Sequence, residues 1–447
     1  MIPTRSPRPT PKTRPMALSP EFEVIRDPLW DNIRLDRAAL AALDTPTVQR
    51  LRYVRQLGHA FLVYPGATHT RFEHALGAYH LTRKALASLE ERGELACVPE
   101  QDRMAVRMAA LLHDIGHYPF SHALEEAGFP SHEGLGVAKL VRGELGLRLR
   151  DMGDGFPDLV GALITQRSRS PLQGLISGSL DLDKIDYLSR DAFMCGVPYG
   201  KVDVDRLLAS LTLVENDGRL EVGVHEKGVS ALESLLFAKY QMYRNVYWHH
   251  AVRSATCMFK RAVRAAVARK AIDIAAIAEA TDDALMELLL RPANDRPDNE
   301  WTELSGAIRA RRLYKRALDL PASDVPSGVQ PWLDDADLTA RVEDALAAEL
   351  ELPRGGLLLD FPSRSSMLGV DLPLRLRTGA IDRLTDEGRA GQLGLPRVAD
   401  ELYRSAQRFR VFVANPVTRS LNGILEVATL PPAEIETRLR AGKPLLH

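Results

Sequence analysis

The chain has 447 residues, of which 45% are hydrophobic and 26% charged, with a formal net charge of −1. This composition is that of a soluble globular protein of about two to three domains at ~150 residues each, and the charge balance speaks against bulk attraction to DNA or to an anionic membrane. No uncharged apolar run approaches the ~20 residues of a membrane span, no secretory apolar core is visible, and the three scattered cysteines (Cys97, Cys195, Cys257) form no CxxC pair, so a zinc ribbon or disulfide framework is not expected and a reducing cytoplasm fits.

Residues 1–20 are Pro-rich and basic (Arg5, Arg8, Lys12, Arg14) and carry no acid. They read as a disordered tail, with a nucleic-acid or partner-binding arm as the alternative. From residue 35 the pattern is helical. Thr45-Pro46 supplies an N-cap and a first-turn proline for an apolar face of Val48, Leu51, Val54 and Leu57. Residues 61–64 read as a short extended stretch closed by Pro65-Gly66. Helices are expected at about 70–90, 102–115, 133–146, 156–166, 182–194 and 228–248. On the last of these, Tyr240, Tyr243 and Tyr247 form a stripe, either packed in the core or walling a cleft. Beyond about 270 the spacing predicts a helical pair over 271–291 and a helix over 308–318. That helix would carry Arg309, Arg311, Arg312, Lys315 and Arg316, either as a solvated face or as a regulatory phosphate or oligonucleotide site. An acidic helix follows over 334–350, then strands at 356–359 and 409–413. The expected architecture is mainly α, with a smaller α+β extension over 271–447.

Four segments carry the chemistry: Arg71-Phe72-Glu73-His74, His113-Asp114-Ile115-Gly116-His117, His122 with His132, and Asp183 within Leu182–Tyr187. Adjacent helical residues point about 100° apart, so His113 and Asp114 share an ion only off the edge between them. This leaves room for His74 and Asp183. A two-histidine, two-aspartate set is hard-to-borderline and leaves coordination positions open. It suits Mn, Fe, Mg, Ni or Zn as a divalent metal ion better than a closed structural zinc site. His117, at i+4 from His113, His122 and His132 read as a surrounding shell for phosphate or protons. Glu125 is placed to orient His122.

These segments, with Gln49–Arg52, Gln56-Leu57-Gly58, Pro65-Gly66-Ala67, Pro119–His122, His132-Glu133 and Asp183–Asp191, resemble the HD-domain metal-dependent phosphohydrolases. Within that family they are similar to the dNTP triphosphohydrolase branch, over roughly residues 22–260 and without a preceding sterile-alpha-motif domain. The resemblance implies an HD helical core over 21–270 in which His74, His113, Asp114 and Asp183 ligate the metal. It implies that Arg71, Lys184 and Arg244 contact the triphosphate, and that His117, His122 and His132 act at the scissile phosphate, with His122 as the acid. Gln56, Leu57, Tyr187 and Asp191 would face the deoxyribose. The pattern departs from the family after Arg244, where Trp248 and Val252 stand at positions that carry His and Tyr in the relatives. The expected function is hydrolysis of a nucleoside triphosphate to nucleoside and triphosphate by a dimer or tetramer. A nucleotide phosphatase or phosphodiesterase and a non-catalytic nucleotide sensor are the alternatives. A nucleotide effector is compatible with the same resemblance.

Overall fold

The computed structural model describes residues 22–178, 180–216, 218–291, 300–325, 331–362, 371–384, 395–418 and 420–446. The basic tail over 1–20 lies outside them. The fold is mainly α with small sheets, as expected. Among the described residues no helix is long and apolar enough to cross a membrane.

The first element is a hairpin that the periodicity did not announce. Phe22–Asp27 pairs antiparallel with Asp31–Asp36. Asp27 closes the turn by accepting from the backbone N–H groups of Leu29 and Trp30 at 2.9 and 2.8 Å, a local bond that competes with helix. Only Ile33 and Leu35 of the second strand are fully buried. The expected extended stretch at 61–64 is instead a 3₁₀ turn over Gly58–Leu62. Gly58 enters it with φ of +51°, and a side chain there would press on the Phe120 carbonyl at 2.9 Å.

The helix Arg71–Glu91 begins in a capping box in which the Thr70 and Glu73 side chains satisfy each other's backbone N–H groups. Glu73 is thereby committed to the cap. Arg71 and His74, three residues apart, are left to share a face. The next helix, Glu100–Leu112, stops one residue before His113, short of the expected 115. The predicted single helix over 133–146 is two, His132–Leu140 and Gly143–Arg150, because Gly143 takes φ of +56° and breaks the run. Leu182–Cys195 matches its expected span and ends at Gly196 in the left-handed region. A second unannounced hairpin, Leu211–Asn216 with Arg219–His225, flanks Asp217-Gly218, the residue pair most diagnostic of a hairpin in sequence. Leu372–Arg375 pairs parallel with its second strand and antiparallel with Ile381–Leu384.

The last long helical run is Val229–Met242, continued by a π-helical turn over Tyr243–Tyr247 and then by His250–Ala268. The predicted basic helix over 308–318 is corrected. The helix is Glu300–Arg309, Arg311 turns the chain with φ of +54°, and Lys315–Pro321 is a strand paired with Arg408–Val413. Strand pairing outweighs local helical propensity here. The five basic residues therefore form no single stripe, and the effector reading built on that stripe loses its geometric basis. Leu357–Asp360 pairs on the other side of Arg408–Val413, and Ala336–Glu349 packs on this sheet through Val342, Leu346 and Ala347.

Arg190, 1% exposed, ties the first hairpin to the helical core. Its guanidinium donates to Asp27 at 2.9 Å and to both oxygens of Asp186 at 3.0 Å. Removing one partner of a buried, hydrogen-bonded ion pair strands the others, at a cost of about 3–5 kcal/mol. Arg190→Ala is therefore expected to lower unfolding stability by about that amount in a urea melt. A loss below about 1 kcal/mol, the scale of an exposed pair, would refute this account of the junction.

Candidate metal centre and cleft

His74 and His113 bring their Nε2 atoms to 3.2 Å of each other. The other nitrogen of each ring is already committed. His74 Nδ1 donates to the Asp186 carboxylate at 2.8 Å, and His113 Nδ1 donates to the Ala110 carbonyl at 2.9 Å. These partners assign both rings the tautomer whose Nε2 carries a lone pair. Two facing lone pairs repel unless a proton or a cation lies between them. Asp183 Oδ1 stands 2.8 Å from His74 Nε2 and 3.3 Å from His113 Nε2, and Asp114 Oδ1 lies 3.2 Å from His113 Nε2. Two imidazole nitrogens and two carboxylates thus converge on one point, and a divalent cation fits that donor set. Without a cation, the same carboxylates draw a proton onto this point, which a bound cation would displace. Burial works against charge on His74, but its bonds to Asp183 and Asp186 outweigh that and raise its pKa to about 10. Burial would raise Asp114, yet the charges of Arg71 and His113 hold it well below the usual carboxylate range.

His113 and Asp114 reach this point from a turn, not from a helix. His117 follows through the bond from its backbone N–H to the Asp114 carbonyl at 3.1 Å, so the i+4 argument from a shared helical face does not apply. His117 Nε2 is 3.2 Å from Asp114 Oδ1 and its Nδ1 is buried without a hydrogen-bond partner. Burial, then Arg71 and His132, depress its pKa well below the ordinary value and keep the ring neutral. Gly116 permits this corner, since a methyl group there would overlap the His132 carbonyl and the Gly136 backbone.

A second group of imidazoles surrounds Glu125, which binds His132 through one oxygen and His122 through the other, the latter at 3.2 Å. Burial would raise Glu125, but these two histidines hold it well below the usual carboxylate range. The His117 and His132 rings stack with centroids 3.7 Å apart and planes 17° from parallel. Near-parallel rings cannot both aim an in-plane lone pair at one nearby ion. The group is thus built for protons and anions more than for a second shared metal. Two consecutive non-glycine residues in the left-handed region, Phe120 at φ +59° and Ser121 at φ +68°, carry the chain to His122. Asp282 holds this turn by accepting from the Phe120 N–H at 2.9 Å.

Both groups open on a cleft of about 610 Å³. Of the sequence-predicted residues, Gln56, Leu57, Arg71, His122, Glu125, Asp183, Tyr187 and Asp191 line it. Arg71 is buried and bonded to Asp114 and to Ser121 Oγ. Asp191 is engaged through one oxygen by His69 at 2.8 Å and through the other by Tyr247 at 2.7 Å. Two predicted phosphate contacts stand elsewhere. Lys184 bonds Asp181 and the Gly178 carbonyl, and Arg244 is exposed and donates to Tyr240 at 2.8 Å. The tyrosine stripe divides, because Tyr243 and Tyr247 line the cleft while Tyr240 does not. Trp248 and Val252 also face the cleft, so the departure after Arg244 is an apolar wall.

Sequence reasoning missed Asp186, His59 and Lys239. Asp186 could have been found from its i+3 spacing to Asp183 on a predicted helix. His59 and Lys239 carry no local signal. His59 stacks on Phe120 at 4.5 Å, lines the cleft and has both ring nitrogens unpartnered. Lys239 lines the cleft too, and burial, with the charge of Lys184, lowers its pKa to about 7.

Residues 71–191 match the HD domain family and residues 202–386 the HD-associated region. This chain is a member of the HD-domain phosphohydrolase family. An uncharacterized protein of Methanocaldococcus jannaschii is 38% identical over 313 residues, 70% of this chain and 63% of the relative. The deoxynucleoside triphosphate triphosphohydrolase SAMHD1 of Danio rerio is 30% identical over 264 residues, 51% of this chain and 42% of the relative. The HD-family chain therefore spans less than two thirds of these relatives' own length. A solved phosphohydrolase of Bacteroides thetaiotaomicron shares the fold with a TM-score of 0.68 at 22% identity, over 88% of this chain and 100% of the other.

His59 makes the fold acid-sensitive. Burial, then the charge of Arg55, lowers its pKa from the ordinary 6.5 to about 3. The unfolded chain therefore takes the proton first as pH falls, and stability present above about 6.5 is lost toward about 3. Urea melts of His59→Phe are expected to decline less steeply than wild type across that window. Equal slopes would exclude His59 as the cause.

Proposed function

We propose that this HD phosphohydrolase cleaves (deoxy)nucleoside triphosphates to nucleoside and inorganic triphosphate. The observation that carries the reading is the convergence of His74 Nε2, His113 Nε2, Asp114 and Asp183 on one point, at the wall of a cleft large enough for a nucleotide. The likeness to the SAMHD1 enzymes narrows the substrate class.

His74, His113, Asp114 and Asp183 would hold the divalent cation. When bound, it supplies Lewis acidity toward a phosphoryl oxygen and makes water nucleophilic near neutral pH. The chain's own groups do the rest. Neutral His117 turns Nε2 to Asp114 and keeps Nδ1 as a buried, unpartnered acceptor. Water adds at the α-phosphorus, the bond to the 5′ oxygen breaks, and His122, oriented by Glu125, gives that oxygen its proton. Arg71 stands beside the growing negative charge. Gln56, Leu57 and Tyr187 bound the sugar side. Asp191, held by His69 and Tyr247, presents a fixed carboxylate for a sugar hydroxyl. Assembly as a dimer or tetramer and a cytoplasmic setting belong to the same reading.

His113→Ala or Asp114→Ala is expected to abolish metal content and turnover together, measured by elemental analysis beside product assays. Turnover by a metal-free variant would sink the proposal. His122→Gln is expected to keep the metal and lose about 10²–10⁴-fold in rate, the usual contribution of a general acid. A panel of each dNTP and NTP with Mn²⁺ or Mg²⁺ separates the readings by product: triphosphate for the proposal, inorganic phosphate or opened diesters for the phosphatase or phosphodiesterase. Tight nucleotide binding with no product would mean a sensor.

A further inference from the structure

The turn that carries His122 and Glu125 is held from outside the cleft. The Glu126 N–H donates to the His122 carbonyl at 3.1 Å and the Phe129 N–H to the Leu124 carbonyl at 3.1 Å, so residues 122–129 form one hydrogen-bonded coil. Glu125, within it, binds the His122 and His132 rings and accepts from the His132 N–H at 2.8 Å. The next residue, Glu126, turns the other way. Its carboxylate is gripped by Arg253 Nη1 and Nη2 at 2.9 and 2.8 Å and by Lys260 Nζ at 3.1 Å. The second edge of the same guanidinium, Nε with Nη2, takes Asp360 at 3.2 and 2.6 Å.

The helix His250–Ala268 dictates this arrangement. Arg253, Cys257, Lys260 and Arg264 recur every three or four residues and so share one face. Arg264 extends the grip on the turn, donating to the Ala127 carbonyl at 2.7 Å and to Asp337. The acids on the far side belong to the C-terminal extension, Asp360 to the strand Leu357–Asp360 and Asp337 to the helix Ala336–Glu349. Burial would raise Glu126 and Asp360, but the charge of Arg253 keeps both below the usual carboxylate range. Arg253 lines the cleft, yet both edges of its guanidinium are occupied, whereas Lys239 on the same wall has no hydrogen bond or ion pair among the described residues. A planar fork that fits two carboxylates at once is a geometric device. For stability alone, well-packed apolar groups would serve as well, since burying charge is costly.

We propose that Arg253 is a positioning residue for the proton donor. It clamps Glu126 against Asp360 of the C-terminal sheet and so fixes where the 122–129 turn presents Glu125 and His122 to the cleft. The extension after residue 271 thereby contributes to the chemistry at a distance. That His122 is the proton donor rests on the function proposed above. The clamp on the turn does not.

The test uses the full chain, with hydrogen exchange of backbone amides read by mass spectrometry beside metal content and dNTP turnover with Mn²⁺. Arg253→Met is expected to speed exchange in residues 122–132 by about tenfold or more while the helix Arg71–Glu91 keeps its wild-type rate, the mark of local opening. It should keep metal and KM but lose about tenfold to a hundredfold in kcat, the scale of a misplaced group. In a His122→Gln background the same substitution should cost less than about twofold, because the two act as one unit. Arg253→Lys covers the case in which Arg253→Met does not fold. The charge stays, but a single ammonium cannot hold two carboxylates edge-on, so the same local exchange and a loss in kcat are expected. Exchange in Arg253→Lys that is unchanged in the turn, or faster across the whole chain, would overturn the proposal. So would kcat losses that multiply with that of His122→Gln, the sign of a role independent of the proton donor. A loosened turn with wild-type kcat would overturn the positioning role as well. A loosened turn with no nucleotide turnover by wild type would support the clamp and overturn the hydrolase reading. Nucleotide turnover by wild type with an unmoved turn in the variants would do the reverse.

Discussion

The Asp186 carboxylate is where the fold and the chemistry depend on the same atoms. It accepts from the Trp30 indole and from Arg190, and it holds His74 Nδ1. Burial alone would leave a carboxyl neutral. The charge of Arg190 and the bond to His74 keep its pKa down at about 2. An ionised Asp186 accepts only, so His74 must carry its proton on Nδ1 and turn Nε2 toward the site. The hairpin at the start of the described chain thereby acts on the candidate metal site through one guanidinium and one carboxylate. Gly77 belongs to the same constraint: a methyl group at this position would overlap Asp186 and Arg190, and the two helices approach only because it is absent.

The cleft has two unlike sides joined by Arg71. On one side, imidazole and carboxylate groups face inward around a point that wants positive charge. On the other, Glu125 holds His122 and His132, and His117 stacks on His132. Arg71 bonds Asp114 on the first side and Ser121 on the second, and Ser121 in turn donates to the Gln56 carbonyl at 3.0 Å. The positions of the two sides are thus coupled without a shared ligand.

That His74, His113, Asp114 and Asp183 would converge was legible in the sequence because most of them sit in short motifs whose chemistry is local: an imidazole next to a carboxylate, or a capped first turn. The long helices were legible from their apolar spacing. The first hairpin was not, since only two residues of its second strand are fully buried, and the second was overlooked although Asp217-Gly218 marks it in the sequence. The strand at 315–321 was hidden for another reason. Its partner, Arg408–Val413, lies some ninety residues later, and a basic run reads as helix until that partner is known. Lys239 and His59 were invisible because what distinguishes them is a missing partner, and the absence of a contact has no sequence signature. The helix break at Leu112 was missed in the opposite sense, for the His-Asp pair looks helical until the turn places it.

The turn at Phe120 and Ser121 gives the two sides separate foundations. Consecutive left-handed residues with side chains persist only where the surroundings over-determine them. Here the restraint is Asp282, which also accepts from the Arg55 N–H at 3.1 Å and comes from the helix Asp282–Leu290, beyond the long run that ends at Ala268. The metal side is anchored by the hairpin before residue 40, and the histidine side by a carboxylate about two hundred and forty residues later. The geometry of the cleft is therefore a property of the closed chain: its earlier and later parts each hold one jaw of the same vice, and the HD motif between them supplies only the teeth.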